Sequence, residues 1–168
     1  MPDDIGGEAV VDPGTMRGQD WPCLRQFCVF MENRVGRLHQ LLRHIEQHDL
    51  RVVALSLVDT VDFAVARVMV DQTDRAREIF KLSDFTFIEN DVLGVELPDA
   101  PQPYVRICLA LLAAEMNIHY TYPLNYRRGG RGAIAIYVED IDQATRILEA
   151  QGMTLLTEGD LLSDGEFF

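Results

Sequence analysis

The sequence predicts an α+β fold of two tandem β-α-β-β-α-β units, each a ferredoxin-like sandwich with two helices on one face of a four-stranded antiparallel sheet. Three observations carry this. After residue 24 the apolar residues switch between strand-like and helix-like spacing in a regular order. That order occurs twice, and the first halves of the two copies overlay without a gap at an offset of 66 residues. Alternation along the strands leaves one continuously apolar face per sheet, which two helices can cover.

Residues 1–24 mix Pro, Gly and Asp with no sustained period and read as a poorly ordered tail, with Trp21 anchoring its end. The first unit, residues 25–90, opens with the buried strand Phe27–Met31. Leu38, Leu41, Leu42 and Ile45 then recur at helical spacing. Val52–Val58 and Phe63–Val70 are apolar, β-branched runs that flank "DTVD" as a hairpin. Asp71 or Thr73 is expected to cap a second helix that turns Ala76, Ile79 and Phe80 inward, and "FTFI" from Phe85 is the fourth strand. In the second unit, residues 91–168, Leu93, Val95 and Leu97 take the places of Phe27, Val29 and Met31, and Ile107 and Leu111 those of Leu41 and Ile45. The loop "NYRRGGRGA", read as solvated, is two residues longer, so Ile136 and Val138 overlay Val68 and Val70 at an offset of 68. Asp140 and Gln143 form a capping box and Gly152 suits a left-handed helix end. The second sheet face carries Cys28, Phe30, Arg67, Glu96 and Tyr137; this mixture predicts cover from the tail or another subunit.

A chain of 168 residues with 48% apolar content supports one medium domain or two small ones. Its longest apolar runs fall far short of the roughly 20 residues that span a bilayer, so no membrane partner is expected and the location reads as cytoplasmic. A net charge of −12 opposes nucleic acid. Cys23, Cys28 and Cys108 have neither disulfide-framework nor metal spacing. His44 and His48 are four apart but lack a third ligand and read as rim histidines. No spacing joins a nucleophile to a base, so no catalytic residue, metal or cofactor is expected.

The stretches "FCVFMENRVGRLHQLLRHIEQHDLRVVALSL" and "VLGVELPDAPQPYVRICLALLAAEMNIHYTYPL" resemble the ACT domain, a small ligand-sensing module attached to many enzymes and regulators of amino-acid metabolism. Glu32, Asn33, Gly36 and Leu38 match its strand, polar turn ending in Gly, and helix opening on Leu. The second copy matches at Asp99 and Pro101 but has Gln102 where the glycine would stand. The resemblance covers residues 26–162 and looks most like stand-alone tandem members without a catalytic domain. It implies an amino acid held between two ACT units, the strand-to-helix loop of one facing the second strand of the other. A ferredoxin-like sheet leaves that second strand at an edge, and unpaired edges invite pairing. Val52–Val58 and Ile118–Pro123 are therefore expected to join the units side by side into one eight-stranded antiparallel sheet with helices on one face.

The first groove is expected between Glu32, Asn33, Arg34, Val35, Gly36, Arg37 and Leu38 on one wall and His119, Tyr120, Thr121 and Tyr122 on the other. The first-turn N–H groups after Gly36 lack helical partners and suit a carboxylate, Asn33 both donates and accepts, and Arg34 and Arg37 add positive charge. A weaker site combines Asp99, Ala100, Gln102 and Tyr104 with Leu55 and Ser56. The expected function is a non-catalytic regulatory protein sensing a small amino acid at the interface of its two units. The alternative is a ligand-free self-association or interaction module that docks on an enzyme of amino-acid metabolism. A homodimer is expected from the apolar second face, with Phe30, Val65, Met69 and Tyr137.

Overall fold

The computed structural model describes residues 21–162. Most of the tail expected over residues 1–24 therefore lies outside the described residues. The element order is β1 (Leu24–Glu32), α1 (Val35–Gln47), β2 (Val52–Asp59), β3 (Phe63–Val70), α2 (Thr73–Lys81), β4 (Thr86–Glu96), α3 (Pro103–Ala113), β5 (Ile118–Arg128), β6 (Arg131–Val138), α4 (Ile141–Ala150) and α5 (Glu158–Leu162). All strand pairings are antiparallel, in the order β2-β3-β1-β4-β6-β5.

The sheet thus has six strands rather than the expected eight. Two changes account for this. The fourth strand of the first copy and the first strand of the second are one strand, β4, which pairs with β1 through Thr86–Val92 and with β6 through Leu93–Glu96. The last strand of the second copy shrinks to a bridge between Val95 and Leu155. Just beyond it, Thr157 and Asp160 cap each other, the Thr157 N–H donating to Asp160 Oδ2 at 2.8 Å, and the chain turns into α5.

The expected ladder between Val52–Val58 and Ile118–Pro123 does not close the sheet; β2 and β5 are its two ends. They nevertheless come into contact, so the sheet is rolled until its edges meet. β2 has an irregularity between Val52 and Ala54, β5 has two, and Pro123 has no N–H to give a ladder. "RRGGRG" is likewise more strand than loop: Gly129 and Gly130, with φ of 56° and 78°, make the two-residue turn between β5 and β6.

Helices cover one face. Phe27, Leu41, Val68 and Phe80 are fully buried in the first unit's core, and Leu93, Ile107, Leu111 and Leu148 in the second's. The other face is folded onto itself: Leu24, Ala54, Met69, Val92, Tyr122 and Ala135, drawn from all six strands, form a third core. Met69, expected on an intermolecular face, is fully buried there. Gly94 lies where β4 passes between units, and a Cβ would stand 2.4 Å from Leu24 Cδ1. The α2 cap differs from expectation. Gln72 is the N-cap without a side-chain bond, because Asp71 Oδ1 accepts from the Arg51 N–H and the Thr73 hydroxyl donates to Glu158. Of the expected α4 capping box the N-cap half forms, the Gln143 N–H donating to Asp140 Oδ1 at 2.9 Å, and Gly152 has φ of 76°.

Candidate functional site

The loop after β1 is tied to its own unit. The Asn33 side-chain amide donates to Thr60 O at 2.8 Å and its backbone N–H to Asp62 O at 2.9 Å, lashing the loop to the β2–β3 turn. Arg34 pairs with Glu32, while Arg37 reaches Gln40 and Asp84 and lies over the Phe85 ring. Val35 is exposed and Leu38 rests against the first core. Nothing lies within 4 Å of a Cβ placed on Gly36. Crowding therefore does not require a glycine, and the first turn of α1, which has no side-chain cap, is open.

The opposite wall divides by alternation. Thr121 hydrogen-bonds the Tyr104 hydroxyl on α3, uniting members of the two expected sites, and His119 packs on Tyr137. Tyr120 and Tyr122 turn into the rolled sheet and cross to the first unit. Tyr122, buried on β5, donates its hydroxyl to Gln26 Oε1 on β1. Gln26 Nε2 donates to Asn90 Oδ1 at 2.8 Å and to the Tyr120 hydroxyl. Tyr120 stacks on Tyr137 with centroids 5.0 Å apart, and the Arg67 guanidinium lies 3.7 Å over its ring. These tyrosines meet β1 at Gln26, six residues or about 20 Å of strand short of Glu32. The two expected walls of the first site are thus held in separate networks.

Of the second set, Asp99 pairs with Arg131 at 3.8 Å beside a cleft of about 190 Å³. Ala100 is half-buried and Gln102 is the N-cap of α3. Leu55 and Ser56 face opposite sides of β2; Ser56 stands across from Arg67 on the inner face.

The structure therefore assembles a junction that sequence reasoning named only in part. Tyr120, Tyr122 and Ser56 were named as site residues; Gln26, Cys28, Asn90, Arg67 and Tyr137 were not. The available signal was polarity inside apolar strands: Arg67 is the one charge in "FAVARVMV" and Gln26 interrupts "LRQFCVFM". Electrostatically the junction is simple. Burial pushes the Tyr122 and Tyr120 phenols and the Cys28 thiol up, the thiol against the opposing pull of Arg67. All three are neutral at pH 7, and no carboxylate among the described residues pairs with Arg67. A thiol pushed up is a poor nucleophile, so the arrangement offers an anion a cation and hydrogen-bond donors rather than covalent chemistry.

Elsewhere, His48 Nδ1 lies 2.8 Å from His44 O, and no group of three metal-ligating side chains occurs among the described residues. No helix among them is long and apolar enough to cross a membrane.

No curated protein matches the sequence. Among solved structures, protein BT0572 from Bacteroides thetaiotaomicron is 24% identical, with 84% of this chain and 96% of that one covered at a TM-score of 0.75. The ligand-free regulatory subunit of aspartate kinase from Thermus thermophilus is 14% identical, with 79% and 95% covered at a TM-score of 0.53. Both likenesses concern the fold. The family described as ACT domain pair, typical of small-molecule regulatory binding, matches residues 23–163, and the chain belongs to it.

Proposed function

We propose that this protein is a non-catalytic regulatory module that binds an amino acid at the junction of its two ACT units. The observation that carries the reading is the convergence, across the unit boundary, of Tyr120 and Tyr122 with Gln26 and Arg67, a cation with no carboxylate partner among the described residues. A ligand there touches both units at once, which lets occupancy alter their relation. The fold shared with an aspartate kinase regulatory subunit supports a regulatory role. The acidic composition is compatible with a cytoplasmic setting.

Thermal unfolding with each of the twenty amino acids tests this. A ligand at 100 times its Kd stabilises by about 2.7 kcal/mol, several degrees for a domain of this size. If none shifts the midpoint at millimolar concentration, the reading fails.

A second reading, homodimerisation or docking to an enzyme of amino-acid metabolism, has its own observation. Val105, Leu109 and Leu112 expose an apolar stripe on α3, on the side away from the buried Ile107 and Leu111.

A further inference from the structure

The inner face of the rolled sheet is graded along its strands. At one end Leu24 faces Val92 and Ala54 faces Met69, all in the dry core. One step along β1, Gln26 stands opposite Asn90. The next row runs Ser56, Arg67, Cys28, Ile88 across β2, β3, β1 and β4, and the row beyond it runs Val58, Val65, Phe30. Exposure rises in the same direction. Gln26 is 0% exposed and Cys28 5%, Arg67 and Ser56 are half-buried, and Phe30, Ile88 and Phe63 are 40%, 50% and 64% exposed. The result is a cup with a polar floor and an apolar, solvent-facing rim.

We propose that this cup binds a ligand with a carboxylate and an apolar body: an amino acid with a branched aliphatic or aromatic side chain, its carboxylate on Arg67 and its side chain against Phe30, Val65 and Ile88. The inference rests on the amino-acid-binding reading above and adds the anchoring residue and the ligand class.

Two features point this way. Arg67 is half-buried with its guanidinium over the Tyr120 ring, yet its neighbours among the described residues are neutral, a thiol and a phenol. A carboxylate meets it with two parallel hydrogen bonds and supplies the missing countercharge. The rim sets the rest. Several large apolar side chains grouped at this exposed rim gain only from an apolar partner. A second copy of the chain on the same cup would bring another Arg67 with no carboxylate in these rows to receive it.

The test is calorimetric titration of the full chain with L-leucine, L-phenylalanine, glycine, L-serine and L-leucinamide, with light scattering on each sample. Wild type is compared with Arg67→Gln, Arg67→Lys and Phe63→Ser. Leucine or phenylalanine should bind about ten-fold or more tightly than glycine and serine. Leucinamide on wild type, and leucine on Arg67→Gln, should each lose about ten-fold or more, with Arg67→Lys recovering part. Phe63→Ser should narrow the preference for leucine over glycine. The leucinamide arm needs no variant and stands even where substitution at Arg67 harms folding. Equal binding of leucine and leucinamide to wild type, with no loss in Arg67→Gln, overturns the anchor while leaving amino-acid binding intact. Tighter binding of glycine or serine overturns the apolar class. If no amino acid binds and Phe63→Ser abolishes self-association instead, both this inference and the functional reading fall.

Discussion

Asp49 and Glu115 occupy equivalent places in the two units, 66 residues apart, and both adopt left-handed backbone with φ of 53° and 59°. Each ends the first helix of its unit, after which Leu50 N–H reaches Ile45 O and Met116 N–H reaches Leu111 O. A side chain in this conformation costs about 1–2 kcal/mol that glycine avoids. Glu115→Gly should therefore stabilise the protein by about 0.5–1 kcal/mol in denaturant unfolding, after the entropy glycine adds to the unfolded chain. A loss of stability would mean that the glutamate side chain contributes more than the backbone strain costs. Gly94 is the converse case. Alanine there meets Leu24 Cδ1 at 2.4 Å and Leu156 Cβ at 3.2 Å inside a core where both leucines are fully buried. Gly94→Ala should cost about 1–3 kcal/mol, and a neutral result would show that Leu24 repacks freely. Gly152 was legible as a helix end because glycine advertises a left-handed position; Asp49 and Glu115 carry no such signal.

At the scale of elements, β4 shows why strand count was the illegible part of an otherwise legible fold. Phe85, Phe87, Glu89, Asp91, Leu93 and Val95 share one parity without a break. A period of two cannot distinguish two abutting strands in phase from one long strand. Only pairing with β1 on one stretch and β6 on the next decides it. The junction was half legible for a related reason: alternation placed Arg67 on the second face, but its stacking partner Tyr120 lies on a distant strand of the other unit. The short α5 makes a second tie between units. Glu158 accepts from the Arg25 N–H at 2.6 Å and from the Thr73 hydroxyl at 2.8 Å, both in the first unit. Burial, the largest influence, raises its pKa above 4.5 despite these bonds. The folded protein then holds this proton to higher pH than the unfolded chain does. The stability associated with the neutral acid is complete below about pH 4.5 and is lost as pH rises through the folded pKa. Glu158→Gln keeps an acceptor for Arg25 and can donate to Thr73, so it should flatten the pH dependence of unfolding over that window. Glu158→Ala should cost about 1–3 kcal/mol by leaving the Arg25 N–H and Thr73 hydroxyl without a partner. Unfolding curves at pH 4 and pH 7 check both, and a pH slope in Glu158→Gln equal to wild type would remove Glu158 from the account.

For the whole molecule, the inner face is largely consumed by the chain's own second unit, since Met69 is buried and Tyr137 is stacked within the protein. For self-association the outer surface offers an apolar stripe on α3. Leu109 and Leu112 are 58% and 53% exposed, one turn apart, with Val105 in line. A two-fold contact would set this stripe against its own copy. Opposing it is charge: each chain carries −12, and two such bodies repel over a Debye length of about 10 Å at 0.1 M salt. Burial of the leucines does not weaken with salt, whereas the repulsion does. Light scattering across a dilution series should therefore find a homodimer that tightens as sodium chloride is raised from 20 to about 300 mM. Leu109→Glu together with Leu112→Glu should yield a monomer whose thermal midpoint is close to wild type, because neither residue is buried within the chain. A dimer that survives this double substitution, or a chain that stays monomeric at every salt concentration, would rule out α3 as the contact.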